Sequence, residues 1–153
     1  MTDRPMNDSA PSTLEAPEDP TSPFANSPFA RCLGIRIGED DTLVMPFSPK
    51  IIGNPVLPAI HGGMTGAFLE TTAIVGVTRE LGVLAPPKPI GLTINYLRFG
   101  RALDSYAKVS IVKQGRRVVA FETQAWQDDP TKPIASAFGH FMLRKTPGVE
   151  VSV

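Results

Sequence analysis

The sequence predicts an α+β domain in which a curled antiparallel β-sheet wraps one long central α-helix. The first observation is the stretch IHGGMTGAFLETTAIVGVTREL at 60–81, about twenty residues of mostly apolar helix. Past its one early carboxylate, Glu70, the positions Ala73, Ile74, Val75, Val77 and Leu81 leave hardly any polar face, so other structure must surround the helix. The second is the row of β-like runs at 90–99, 103–113, 117–127 and 133–143, joined by short turns that make neighbouring strands antiparallel. The third is alternation within the runs, with Ala107, Val109 and Ile111 on one side and Tyr106, Lys108 and Ser110 on the other. One sheet face is therefore apolar, and a single long apolar helix is the element available to cover it.

At 153 residues and 42% hydrophobic content the chain suits one soluble domain with a real core. No apolar run is long enough to span a bilayer, and the N-terminus carries no export signal, so the expectation is a cytoplasmic protein without a membrane partner. Cys32 is the sole cysteine and there are two histidines, which leaves neither a disulfide nor ligands for a structural metal. Next to Leu33 and far from any base, Cys32 reads as a core residue. The zero net charge hides a division, since residues 1–30 hold five acids against Arg4 alone. The remainder has fourteen basic and ten acidic residues, too small and scattered an excess for a nucleic-acid surface.

Six of the sixteen prolines fall in the first thirty residues among Ser, Thr, Asp and Glu. Residues 1–27 read as a Pro-rich acidic tail, solvated over 1–22, and 28–153 as the folded domain. The repeated SPFA places Phe24 and Phe29 just ahead of the core, in a segment suited to a short docked turn or helix. Then LGIRIGEDDTLVMPF reads as two short strands around the acidic turn at 39–41, and SPKIIGNPVLPA as an irregular connection. His61 precedes the central helix as its cap. Gly62 and Gly63 open it, where free N–H groups and the positive end of the helix dipole can hold a developing negative charge. Gly82 supplies the C-cap. His140 falls on a strand and reads as half-buried and structural.

These motifs, in this order, resemble the hotdog-fold thioesterases of the phenylacetate-degradation type. The resemblance covers 28–143 and rests on SPFARCLGIRI, on HGGMTGAFLETTA with its acid nine residues after the His, on LTINYLRFGRALD, and on a KQGRR hairpin followed by ASAFGHFML. It implies hydrolysis of acyl-CoA thioesters by homodimers or dimers of dimers, with no cofactor beyond the coenzyme A of the substrate, and helix geometry adds that the sites lie at the dimer interface, since Gly62 and Glu70, eight positions apart, stand about 12 Å from each other along the axis. It also implies that Glu70 is catalytic and that the Gly62 amide polarises the thioester carbonyl. Family members often carry an Asn and a Gly shortly before HGG. Here NPVLPAIHGG inserts Pro58 and one further residue, so Asn54 is the nearest match.

Thioester hydrolysis needs a base or nucleophile near the carbonyl carbon and donors where the oxyanion forms, and Glu70 with the Gly62 amide meets that need. His61 is a further catalytic candidate, chiefly by fixing the Gly62 peptide, and Gly63 a substrate-binding one. Among the arginines at strand ends and the hairpin, Arg98, Arg101, Arg116 and Arg117, the last two are the expected contacts for coenzyme A phosphates. Two other readings stand beside this one. A hotdog hydroxyacyl dehydratase would share NPVLPA followed by an acid, but it carries a His in a Gly-His-Phe-Pro segment where this chain has SPKIIG. A non-catalytic acyl-CoA binding module would keep the fold without turnover.

Overall fold

The computed structural model describes residue 24 and residues 27–83 and 85–143, so the expectation for the tail at 1–22 lies outside the described residues. Phe24 is buried, and Ser27 caps helix α1 (Pro28–Cys32) by accepting from the Ala30 amide. Strands β1 (Arg36–Ile37) and β2 (Leu43–Met45) flank a 3-10 turn at Glu39–Asp41. Asp40 and Asp41 there hold left-handed backbone (φ 51 and 59), which Asp tolerates better than most residues. Phe29 and Cys32 on α1 are exposed. The expectation for Cys32 is thus corrected: Ala30 is the α1 residue sealed into the core, and Cys32, two positions on, faces away.

The stretch expected to be irregular forms a hairpin. Strands β3 (Ile52–Asn54) and β4 (Ala59–Ile60) pair antiparallel as a two-stranded sheet of their own. Burial of Ile51 and Ile60 anchors both ends, and the His61 amide donates to the Ile51 carbonyl at 2.8 Å. Pro55 and Pro58 fall in the loop, outside the paired residues, so neither breaks the ladder.

Helix α2 (Gly62–Leu81) runs 20 residues from its His61 cap to Gly82, whose left-handed φ of 60 ends it. Strands β5 (Lys88–Tyr96), β6 (Ser105–Gln114), β7 (Val118–Trp126) and β8 (Ala135–Met142) follow within a few residues of the bounds expected. The six-stranded sheet has the order β1-β2-β6-β7-β8-β5, every pairing antiparallel. No described helix is long and apolar enough to cross a membrane.

Alternation puts Ala107, Val119, Phe121, Ala125, Ala137 and Phe141 on the inner face, where they bury Phe68, Leu69, Ala73, Val75 and Val77 of α2. Phe121 and Phe141 stack there at 4.2 Å, and the buried Thr72 hydroxyl donates to the Phe68 carbonyl. The sheet covers one side of α2. The opposite stripe, Ala67, Glu70, Thr71, Ile74 and Thr78, is only half-buried.

Helix and sheet approach closely at Gly76, where an added Cβ would overlap Val109 Cγ1. Gly76→Ala is therefore expected to lower the melting temperature. Overpacking of about 1–3 kcal/mol exceeds the roughly 0.5–1 kcal/mol that Ala gains over Gly within a helix. Thermal denaturation of G76A beside the G76A/V109A pair checks this, since trimming Val109 is expected to recover part of the loss. An unchanged midpoint in G76A would contradict the close approach.

Candidate active site

The start of α2 is where the sequence-derived candidates meet. His61 is exposed, with the extended backbone of an N-cap, and its Nδ1 accepts from the Gly63 amide at 2.9 Å. An imidazole nitrogen that accepts from an amide carries no proton, which puts the ring's proton on Nε2. The Met64 and Thr65 amides donate to the His61 carbonyl at 2.9 and 3.2 Å. The Thr65 bond is the first of the regular helix ladder, and of the four amides that a helix leaves unpaired at its start His61 is spent on the Ile51 carbonyl, Gly63 on the His61 ring and Met64 on the His61 carbonyl. The Gly62 N–H has no acceptor among the described residues.

Gly62 opens onto a cavity of about 370 Å³ walled by Ile60, Leu97, Phe99 and Ile134, with Thr65 and Tyr96 as its polar lining and Arg98 alongside. The Tyr96 hydroxyl donates to the Gly62 carbonyl at 2.9 Å. Behind the turn, the β3–β4 hairpin presses on His61, and a Cβ at Gly53 would stand 2.7 Å from the His61 Cα. Asn54 has its side-chain oxygen committed to the Val56 and Leu57 amides at 3.0 and 3.2 Å, so it shapes the hairpin loop. Gly53 and Tyr96 were not picked out from the sequence. The only available signals were a lone glycine in a short extended segment and a tyrosine at the end of a strand.

Glu70 stands elsewhere in the single chain. It lies two turns along α2 on the half-buried stripe away from the sheet, makes no hydrogen bond or ion pair with any described residue, and is not part of the cavity wall. It stands eight positions along the helix from Gly62, about 12 Å along the axis. Its neighbour Thr72 turns inward to the Phe68 carbonyl, while Thr71 shares its half-buried stripe.

Arg116 and Arg117 are also remote from Gly62. They form the turn between β6 and β7, beside Val119 and Leu143, which pack with Ala73 and Val77 toward the far end of α2. Nearer Gly62, a second hollow of about 460 Å³ shares Arg98, Phe99 and Ile134 with the first. There Arg98 donates to the Pro133 carbonyl at 2.6 Å, Arg101 pairs with Asp128, and Lys132 lies 3.5 Å from Asp129. The Thr131 hydroxyl and amide bond the Asp129 carboxylate, holding its pKa below the ordinary value, with Lys132 adding to the effect. His140 proves exposed, edge-on to Phe138 at 5.2 Å, because it falls on the outer side of β8. Among the described residues no His, Cys, Asp or Glu group could hold a metal ion.

A family profile for the acyl-CoA thioesterase N-terminal domain matches residues 54–142, which run from the hairpin through α2 to β8 and make up more than half the chain. The chain belongs to this thioesterase family. A Chromobacterium violaceum protein of known structure is 34% identical, with a TM-score of 0.64 over 79% of this chain and 86% of its own. The phenylacetic acid degradation-related protein of Ralstonia eutropha is 26% identical, with a TM-score of 0.66 over 74% of this chain and 88% of its own. A Bacillus halodurans protein determined with CoA is 26% identical, with a TM-score of 0.66 over 76% of this chain and 75% of its own. No curated protein matches. The curled six-stranded sheet around one long helix is the hotdog fold of solved thioesterase-superfamily structures.

Proposed function

We propose that this thioesterase-family chain hydrolyses acyl-CoA thioesters to the free acid and coenzyme A, with no further cofactor. The observation that carries the reading is the unspent Gly62 amide, a donor at the positive end of a 20-residue helix beside a cavity walled by Ile60, Leu97, Phe99 and Ile134. A thioester carbonyl placed against it has its oxygen held as negative charge develops. Glu70 then acts as general base on a water or attacks the carbonyl carbon directly. In either route the carbon–sulfur bond breaks, the thiolate leaves with a proton, and one water is consumed. The CoA found with the Bacillus halodurans neighbour is consistent with that substrate class.

Because Gly62 and Glu70 cannot reach one carbonyl within a single chain, the working enzyme is a homodimer, or a dimer of dimers, with sites shared across a twofold axis. Two features support this. The stripe bearing Glu70 is only half-buried, and β5 is a nine-residue edge strand paired among the described residues on one side alone, an edge that invites a further strand. Antiparallel helices would bring the far end of one chain toward Gly62 of the other. Arg116 and Arg117 then serve the site to which the other chain gives Gly62, and Arg98 lies on the near side. Release of free thiol from a panel of acyl-CoAs tests the function. Turnover of at least one member is expected, and binding without turnover across the panel would favour the non-catalytic module.

A further inference from the structure

We propose that Tyr96 is a positioning residue that, together with His61, clamps the Gly62–Gly63 peptide and holds the free Gly62 amide in place. The inference rests on the reading that this amide receives the thioester oxygen. Tyr96 ends β5, 34 residues along the chain from Gly62, and its side chain meets the first turn of α2 only because β5 runs past it. The phenol donates to the Gly62 carbonyl at 2.9 Å, and the Gly63 amide of the same peptide donates to His61 Nδ1 at 2.9 Å. Both polar ends of the Gly62–Gly63 peptide plane are thereby tied to side chains from outside the helix, and the preceding plane, which carries the Gly62 N–H and meets it at the Gly62 Cα, is tied through its His61 carbonyl to the Met64 and Thr65 amides.

The need for such a clamp follows from the two glycines. A Gly-Gly pair at a helix start has the least restricted backbone of any sequence, and helix ends fray. An oxyanion donor, by contrast, must be held within about half an ångström of its productive position. Glycine suits these positions because the aromatic ring lies close over the turn. A Cβ at Gly62 would sit 3.3 Å from Tyr96 Cε1, and one at Gly66 would sit 3.3 Å from its hydroxyl oxygen and 2.8 Å from Ile94 Cδ1. The same residues that admit the ring leave the backbone loose, and the hydroxyl removes that looseness. A helical carbonyl already has the amide four residues on as its partner, so the hydroxyl is an additional donor on its second lone pair. Its proton is committed to a carbonyl, which makes it a poor candidate to deliver a proton to the reaction.

Tyr96→Phe keeps the ring over Gly62 and Gly66 and removes only the hydroxyl. On the acyl-CoA turned over best by the wild type, kcat is expected to fall about tenfold, the rate equivalent of one lost hydrogen bond. KM, the pH profile and the melting temperature are expected to stay as in wild type. Amide hydrogen exchange at Gly63, whose N–H is bonded to the His61 ring, is expected to quicken, a readout that needs no turnover. Unchanged kcat with unchanged exchange would overturn the clamp. A loss confined to KM would make Tyr96 a substrate contact, a shifted pH profile would make it an acid or base, and a variant that fails to fold would make its hydroxyl part of the fold; each of these also overturns it. If the wild type hydrolyses no acyl-CoA, the proposed function fails while the exchange measurement still decides the clamp.

Discussion

Glu70→Gln is expected to keep the fold and lose at least about a hundredfold in thioester turnover, the usual scale for removing a general base or nucleophile. The substitution preserves volume and hydrogen-bonding capacity while taking away the charge and the basic lone pairs. Stability is expected to hold because Glu70 is half-buried and bonds to no described residue, so no buried partner is stranded when it changes. Glu70→Asp is expected to retain some turnover, since it keeps the carboxylate but withdraws it by one methylene. The check is kcat for both variants against the wild type, with circular dichroism and melting temperature measured alongside. Full turnover in a folded Gln variant would remove Glu70 from the chemistry.

Two inactive variants are expected to rescue each other when co-expressed. Gly62→Pro deletes the proposed donor at a helix position that accepts proline, and the extended backbone of His61 suits the residue before a proline. The loss of the amide is expected to cost about 3 kcal/mol of transition-state stabilisation. A Cβ at position 62 approaches Tyr96 Cε1 to 3.3 Å, so Gly62→Ala, which adds that Cβ and keeps the N–H, serves as the control for crowding. Paired with Glu70→Gln, each variant alone is expected to be nearly inactive. In a mixed dimer one of the two sites receives an unmodified Gly62 and an unmodified Glu70 from opposite chains. Random pairing makes about half the dimers mixed with one good site each, so about a quarter of wild-type activity is expected to return. Mixed dimers isolated with two different tags and showing no activity would rule out the shared site.

Periodicity and turn chemistry in the sequence determined most of the secondary structure. The helix from Gly62 to Leu81 is legible because apolar residues surround it and Gly82 can adopt the left-handed cap. The four long strands are legible because alternation at Ala107, Val109 and Ile111, or Val119, Phe121 and Thr123, reports a single buried face. The candidate donor and acid, Gly62 and Glu70, are legible from one local spacing along that helix. Each of these signals lies within one element, where a residue's neighbours are set by chain geometry alone.

Tertiary structure alone decided what each element touches. The β3–β4 hairpin escaped a reading based on its prolines because its ends are anchored by Ile51 and Ile60 in the core. Cys32 faces solvent because Ala30 took the inward position on a five-residue helix too short to announce its face. Tyr96 reaches Gly62, and Val109 crowds Gly76, because the strand order carries β5 to the edge beside β8 and sets β6 against the later turns of α2. The same order places Arg98 beside the cavity and the Arg116–Arg117 turn at the far end. Strand order is chosen by the burial of whole faces against one another, a property of the assembled sheet that no local period encodes.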